Sequence, residues 1–199
     1  MTETLTVSVS DAQIRQMRTV FESMGKTVDG AIARAVNHAG DKALTAVARA
    51  LVAQTGLRRQ TIAKALVVRK ASAAKGTSTY SIRSRGGDIS LRYFGARETT
   101  SGVSAAPLGQ RRVFTGTFMK AGRFPARVAV PGWNGQVFRR TGGKTSTGKD
   151  RFEKVRSGVY IPEQMVTGAS ADAFRTTVAV DLPARLDHEL RRVLSGQAE

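Results

Sequence analysis

The spacing of apolar residues changes twice along this chain, and this change limits the possible folds more than any other feature. Before Val67 the apolar side chains recur every three or four residues, as in helices; from there to Ile161 they form short runs with a period of two, as in strands. The helical spacing then returns. This order predicts a single α+β domain over 1–199, with N-terminal and C-terminal helices packed on a mostly antiparallel β-sheet that carries long basic loops. Its parts are a short strand plus helices in 1–66, a basic β-rich region in 67–161 and a C-terminal helical segment in 162–199.

Local signals define the N-terminal elements. Residues 5–9 alternate between apolar and hydroxyl side chains, which predicts a strand. The run from Ser10 to Gln13 matches a capping box, so we expect a helix to begin there and to end near Gly25. A second, alanine-rich helix is predicted from Thr27 to about Ala53, with Gly40 as the point where it could bend.

The middle region reads as short strands separated by glycines, prolines and basic residues. The most polar stretch, Arg140 to Lys154, is expected to be a mobile loop, and 140–157 is the main candidate for a segment that folds only on assembly. The predicted strands are 67–71, 79–83, 89–94, 112–114, 117–119, 127–130, 136–139 and 159–161.

The C-terminal region turns helical again, and Ser170 is a candidate cap for its first segment. Pro183 leaves two possibilities open. Either a new helix begins near Asp181, or one long helix continues and kinks at the proline.

Positive charge is concentrated in the middle of the chain. The formal net charge is +17, from 32 Lys+Arg and 15 Asp+Glu. Residues 51–160 carry 22 basic and 4 acidic side chains, whereas 1–50 carry 6 and 5, and 161–199 carry 4 and 6. Like charges at this density repel, so we expect an anionic partner, of which nucleic acid is the commonest. Solubility alone is the alternative explanation.

The sequence offers little material for catalysis or metal binding. It has no cysteine, and its two histidines, His38 and His188, are far apart. The segment 143–150 resembles a phosphate-binding Gly-Lys loop but has Asp150 where a Ser or Thr is needed. The basic region is also poor in the carboxylates that a nuclease gathers around a metal: it has only Asp88, Glu98, Asp150 and Glu153. We therefore expect no enzyme activity and no cofactor.

Basic residues recur beside the predicted strands, often as arginines, whose guanidinium groups suit bidentate contacts with phosphate or carboxylate. Nearby aromatic residues could stack on bases, but we favour the interpretation that they form the sheet core. Any contact with DNA is expected to be with the backbone. The loops around 84–88, 99–112 and 140–157 are the expected contact regions. The candidate residues are Arg83, Arg85, Arg111, Arg112, Arg139, Arg140, Lys144, Lys149, Arg151 and Lys154.

Several segments resemble the minor tail protein Z family of tailed bacteriophages. The likeness is general in the N-terminal half, around Asn37 and in Lys70-Ala71-Ser72. It is most specific over 91–105, where Phe94, Ala96, Arg97 and Gly102-Val103-Ser104-Ala105 match the family pattern, and it continues in Phe118, Gly135 to Arg140 and Gly143-Lys144. One departure is the insertion from Thr145 to Ser157 before the Ile161-Pro162 pair.

The resemblance implies a tail-completion protein at the head-proximal end of a long tail. Such a protein contacts the tail terminator, the tail tube and the head-tail connector, joins tail to head and is implicated in placing the DNA end. It implies no enzyme activity, metal, cofactor or membrane, with assembly in the bacterial cytoplasm and residence in the virion. The resemblance also implies a homo-oligomeric ring of six, because the tail tube has that symmetry and a heterologous interface closes into a ring at a fixed rotation. The alternatives are a nucleoid-like or recombination-associated protein that binds DNA without sequence specificity, and a nuclease.

Overall fold

The computed structural model describes residues 1–22 and 28–195, and the helices of this part lie mainly towards the two ends of the chain. The helix end predicted at Gly25 and the helix start predicted at Thr27 fall outside the described residues. The helices are α1 (Asp11–Glu22), α2 (Asp29–Thr55), α3 (Arg59–Ala65), α4 (Ile161–Val166) and α5 (Gly168–Leu194).

Antiparallel strands separated by turns and loops lie in the region between α3 and α4, and the α+β class is confirmed. The strands are divided among three small sheets, ordered β1-β3-β2, β4-β5-β6 and β7-β8-β9 within the described part of the chain. The strands are β1 (Thr2–Ser8), β2 (Leu66–Arg69), β3 (Thr79–Arg85), β4 (Arg97–Glu98), β5 (Gly102–Ala105), β6 (Arg112–Thr115), β7 (Thr117–Phe118), β8 (Phe138–Lys144) and β9 (Asp150–Lys154).

Three of the predicted strands are not strands. Within 89–94, Leu91–Phe94 forms a 3₁₀ turn, because burying Leu91 and Phe94, three residues apart, suits three residues per turn. The 127–130 segment makes only an isolated bridge to Ala121. In 159–161 the chain leads into α4, which has a proline in its first turn, a favoured position at a helix start.

The predicted loop 99–112 also differs from the structure. It contains strand β5, in which Val103 and Ala105 are fully buried. Small and β-branched residues with no charge suit a strand covered on one face, so residues 102–105 belong to a sheet, whereas 99–101 and 106–111 lie outside the strands.

The core lies between the antiparallel helices α2 and α5 and the inner face of β3. On β3, Tyr80, Ile82 and Ser84 point inward, whereas Arg83 and Arg85 point to solvent. Polar contacts at three levels join the two helices: Arg34 with Glu189, Lys42 with Asp181, and Gln54 with Ser170. They tie the helices together from one end of the pair to the other.

Gly40 does not interrupt α2, which continues unbroken to Thr55. A Cβ atom at this position would lie 2.3 Å from Cγ of Tyr80, a fully buried ring. Glycine is therefore present because β3 approaches the helix closely, and not because the helix bends. The tyrosine hydroxyl donates a 2.9 Å hydrogen bond to Oδ1 of Asp41, the next residue of the same helix.

The predicted capping box is confirmed. The amide of Gln13 donates to Oγ of Ser10, and the amide of Ser10 donates to Oε1 of Gln13, each at 3.3 Å. Gly56 ends α2 in the left-handed conformation at φ 75°.

At the other end of the chain, α5 passes through Pro183 as one helix, which decides between the two possibilities. Ser170 is not a cap; it lies within the first turn, where its hydroxyl donates to the carbonyl of Met165. Its amide instead donates to Oε1 of Gln54, a residue of α2. A side chain from another helix thus satisfies a free amide at the start of α5.

Candidate interaction surface

The stretch predicted to be a mobile loop is a β-hairpin. Strands β8 and β9 pair so that Phe138 lies opposite Lys154 and Arg140 opposite Phe152. The turn between them is closed by hydrogen bonds between the backbones of Thr145 and Lys149 and between Gly148 and Thr145. Every residue of the two strands except Phe138 is exposed, so the hairpin stands out from the body of the protein.

An aromatic cluster anchors the hairpin and explains why this polar stretch is ordered. The rings of Phe118, Trp133, Phe138 and Phe152 contact one another with centroid separations of 5.1–6.1 Å. Phe118 and Phe138 are buried, which confirms the core interpretation for them, whereas Phe152 is 43% exposed. The guanidinium of Arg140 also lies over the ring of Phe118, at 5.1 Å.

The candidate basic residues lie on different sheets, and six of the ten share this hairpin. Arg83 and Arg85 lie on the outer face of β3. Arg111 donates to the carbonyl of Gly95 and to the hydroxyl of Ser104, and Arg112 lies over the ring of Phe114 in β6. The six on the hairpin are Arg139, Arg140, Lys144, Lys149, Arg151 and Lys154.

One carboxylate forms ion pairs with two of the six hairpin cations. Asp150 accepts Lys144 at 2.5 Å and Arg140 at 3.2 Å. The hydrogen bond and the charge of Lys144, followed by the charge of Arg140, lower the pKa of Asp150 below its usual value. In the described part of the chain, the other four hairpin cations make no ion pair, and all four are exposed.

Two of the remaining carboxylates of the basic region hold the fold together internally. Glu98 accepts the amides of Met119 and Lys120, at 2.5 and 2.9 Å, and pairs with the largely buried Arg127. Asp88 accepts the amide of Gly158 at 2.9 Å. Because these acids face inward, they do little to balance the outward cations, and the exposed surface is more cationic than the composition implies.

A cavity with a volume of about 520 Å³ lies between α2 and α5. Its lining includes His38, Lys42 and Asp181, and the last two form an ion pair. Asp41, also on the wall, is held by Lys70 and by the hydroxyl of Tyr80. Its charged groups thus serve to join elements of the fold.

The residue types that bind metals are scattered in this structure. Over residues 1–22 and 28–195, no three side chains of His, Cys, Asp or Glu come together as a metal site would require. His188 is exposed on α5. The Gly-Lys segment 143–150 forms the end of β8, a turn and the start of β9, and no helix follows it as a phosphate-binding loop would need. None of the described helices has the length and apolar character needed to cross a bilayer.

The segments that carry the family resemblance meet in the structure. The side-chain amide of Asn37 bonds to both backbone groups of Ala71, at 2.8 and 3.0 Å. In 91–105, Phe94 and Val103 are buried, and a Cβ on Gly102 would lie 2.1 Å from the carbonyl oxygen of Phe114. These residues have packing roles. No protein-family model, curated protein or solved structure matches the chain.

Sequence reasoning missed the anchoring role of Trp133 and Phe152. The available signal was the alternation of aromatic and charged residues around Phe138 and around Phe152, which marks two half-buried strands. The glycines and charges between them concealed it.

Proposed function

We propose that this protein is a structural component of a long-tailed phage virion, a tail-completion or neck protein that contacts the tail terminator and joins tail to head. The observation that carries the proposal is the projecting β8–β9 hairpin, with four exposed cations that have no ion-pair partner in the described structure. The resemblance of residues 91–105 to tail-completion proteins supplies the biological setting.

The charge arrangement supports a role in assembly. A ring of six copies would present six hairpins, each with six cations and two carboxylates. The net positive charge of each hairpin would favour assembly against an anionic surface. Acidic tail or neck proteins and the DNA end are the partners of matching charge in such a joint.

A second candidate function is binding of DNA without sequence specificity. It is favoured by the same hairpin, because exposed arginines and lysines beside a partly exposed aromatic ring suit contact with a phosphate backbone. This function predicts that the isolated protein binds bulk DNA and that the affinity falls steeply with salt. The virion function predicts weak binding to bulk DNA and co-purification with particles.

The deciding experiment removes the chain from the phage or prophage that encodes it and examines the lysate by electron microscopy. We expect filled heads and separate tails to accumulate, and we expect the wild-type chain supplied in trans to restore joined particles. Fully infectious particles without the chain would overturn the proposal.

Matched variants test the hairpin within the same assay. The double variant Arg139→Gln/Lys149→Gln removes two hairpin cations that have no ion-pair partner in the described structure, and we expect it to restore few joined particles. The control, Arg83→Gln/Arg85→Gln, removes the same charge from the outer face of β3 and should restore them fully. Equally poor rescue by both variants would mean that net charge, and not the hairpin, matters, and full rescue by both would mean that these hairpin cations are not needed.

A further inference from the structure

Strand β9 presents an open edge. In the sheet β7-β8-β9 of the described structure it pairs on one side only, with β8, and all five of its residues are exposed. A free edge of this kind offers unpaired amides and carbonyls to another strand. The question is which strand it accepts.

The pairing with β8 fixes which backbone groups of β9 point outward. The amide of Val155 donates to the carbonyl of Val137 at 2.8 Å, so this residue faces β8. Inward and outward groups alternate along an antiparallel strand, and Arg151 and Glu153 therefore also face β8. The amides and carbonyls of Asp150, Phe152 and Lys154 point to the open edge.

The sequence of β9 is complementary to itself. The strand reads Asp-Arg-Phe-Glu-Lys, and Phe152 is its central residue. When two such strands run antiparallel about Phe152, Asp150 lies opposite Lys154 of the second copy and Arg151 lies opposite its Glu153. The two phenylalanines face each other and, because their backbone groups point outward, they exchange both hydrogen bonds.

We propose that two copies of this protein associate through their β9 strands, antiparallel and centred on Phe152. The result is a two-fold interface and a continuous six-stranded sheet, β7-β8-β9-β9-β8-β7. A two-fold contact uses the same surface on both copies and does not propagate around a ring. The dimer is therefore separate from any ring interface, and the inference does not depend on the tail function.

The charges of β9 select this register. Arg151, Glu153 and Lys154 make no ion pair within the described part of one copy, and the pairing gives each of them an opposite charge. Moving the centre by one residue places Arg151 opposite Arg151, or Glu153 opposite Glu153. Like charges directly opposite each other destabilise a strand pair, so the centre at Phe152 is preferred.

Complementary charge variants of the full chain test the register. Arg151→Glu places Glu opposite Glu153, and Glu153→Arg places Arg opposite Arg151, so each variant alone is expected to lose the dimer. Mixed in equal amounts, the two variants restore both opposite-charge pairs, and a heterodimer should appear in native mass spectrometry at twice the 21.3 kDa of one chain. The control Lys149→Glu lies in the turn outside β9 and should keep the dimer.

A cross-linking experiment detects the β9–β9 contact even if the protein also forms larger rings. The chain has no cysteine, so Phe152→Cys introduces a single thiol at the proposed two-fold axis. Hydrogen-bonded antiparallel partners have Cα atoms about 5.5 Å apart, within the range of a disulfide. Mild oxidation should link Phe152→Cys into dimers and leave the Lys149→Cys control unlinked.

Two results would overturn the proposal. One is that Arg151→Glu and Glu153→Arg each have the same oligomeric mass as the wild-type chain and form no heterodimer when they are mixed. The other is equal cross-linking of Phe152→Cys and Lys149→Cys, which would indicate random collisions.

Discussion

The helical body, formed by α2 and α5, and the β8–β9 hairpin each contain a carboxylate that pairs with more than one cation, but only the carboxylate of the body is buried. The side chain of Glu189 is fully buried and lies 2.7 Å from Arg34, 2.5 Å from Arg185 and 3.7 Å from Arg192. Asp150 on the hairpin has a side chain that is 48% exposed. The charges of the body thus join α2 to α5, whereas most charges of the hairpin are exposed to solvent and accessible to partners.

The two carboxylates also differ in what sets their protonation. Burial raises the pKa of Glu189, but the hydrogen bond from Arg34 and the charges of the surrounding arginines outweigh it, and the pKa lies below its usual value. The hydrogen bond and the charge of Lys144 lower the pKa of Asp150 and outweigh the opposing effect of burial, and Arg140 adds to the lowering. Removing each group should therefore have very different consequences.

The largest effect is expected where the hairpin meets the body. Phe138→Ala should cost about 4 kcal/mol of local stability, because it leaves a cavity among three aromatic rings. Amide hydrogen exchange should accelerate in β8 and β9 while α2 stays protected. The control Val180→Ala, at a position that is 67% exposed, should change neither. Loss of protection throughout the chain would show that hairpin and body unfold as one unit, and it would contradict the distinction between the two regions.

A somewhat smaller effect is expected for Glu189→Gln, which should lower the free energy of unfolding by about 3 kcal/mol at neutral pH by removing the charge that three arginines surround. A carboxyl whose folded pKa is lowered stabilises the fold above its unfolded pKa and loses that contribution as pH falls through the folded pKa. The wild type should thus lose stability below about pH 4, and the variant should show a flatter acid limb in chemical denaturation at several pH values. An unchanged acid limb would contradict this assignment.

Gly40→Ala should cost about 1 kcal/mol. Displacing the buried ring of Tyr80 costs about 2 kcal/mol, and the better helix propensity of alanine offsets about half of that. Gly30→Ala in the same helix is the control, since a Cβ there meets only the flexible end of Arg34, and it should be neutral or stabilising. Thermal unfolding of both variants measures the difference, and equal midpoints would mean that the Tyr80 ring is free to move.

The smallest effect is expected for Asp150→Asn. The ion pairs of Asp150 with Lys144 and Arg140 are exposed and screened, so the unfolding midpoint should stay within experimental error of the wild type. The variant should instead bind anionic partners more tightly, because two further cations are released. Chemical denaturation of Asp150→Asn and Glu189→Gln under the same conditions measures the difference in stability. A salt titration of the binding of Asp150→Asn to an anionic partner measures the added charge.

Local signals were reliable where neighbouring residues supply the interactions. The Ser10–Gln13 capping box involves only nearby residues, so its sequence pattern predicted the structure. The strand expected at 89–94 failed because burial of Leu91 and Phe94 against the body overrides a weak strand preference. The hairpin was missed because its anchor joins Phe118, Trp133 and Phe152, which are distant in sequence.

For the ten candidate basic residues, the sequence predicted that the side chains are exposed but not which of them lie together in the structure. All ten basic side chains are exposed, as their charge requires, yet only strand pairing brings six of them onto one hairpin. Likewise, nothing local indicates that Glu98 and Asp88 face inward, because their amide donors come from segments far along the chain.

The α+β class, the helical N-terminal and C-terminal regions and the excess of positive charge could all be predicted from the sequence. Apolar periodicity reflects the local backbone geometry of each element, and the charge follows directly from the composition. Only the tertiary structure decided the division into three sheets, the packing of Tyr80 on Gly40 and the capping of α5 by Gln54. These features depend on which distant segments meet, because burial and hydrogen bonding require a partner from another part of the chain. The partner of a free amide or of an apolar ring is therefore fixed only when the elements pack together.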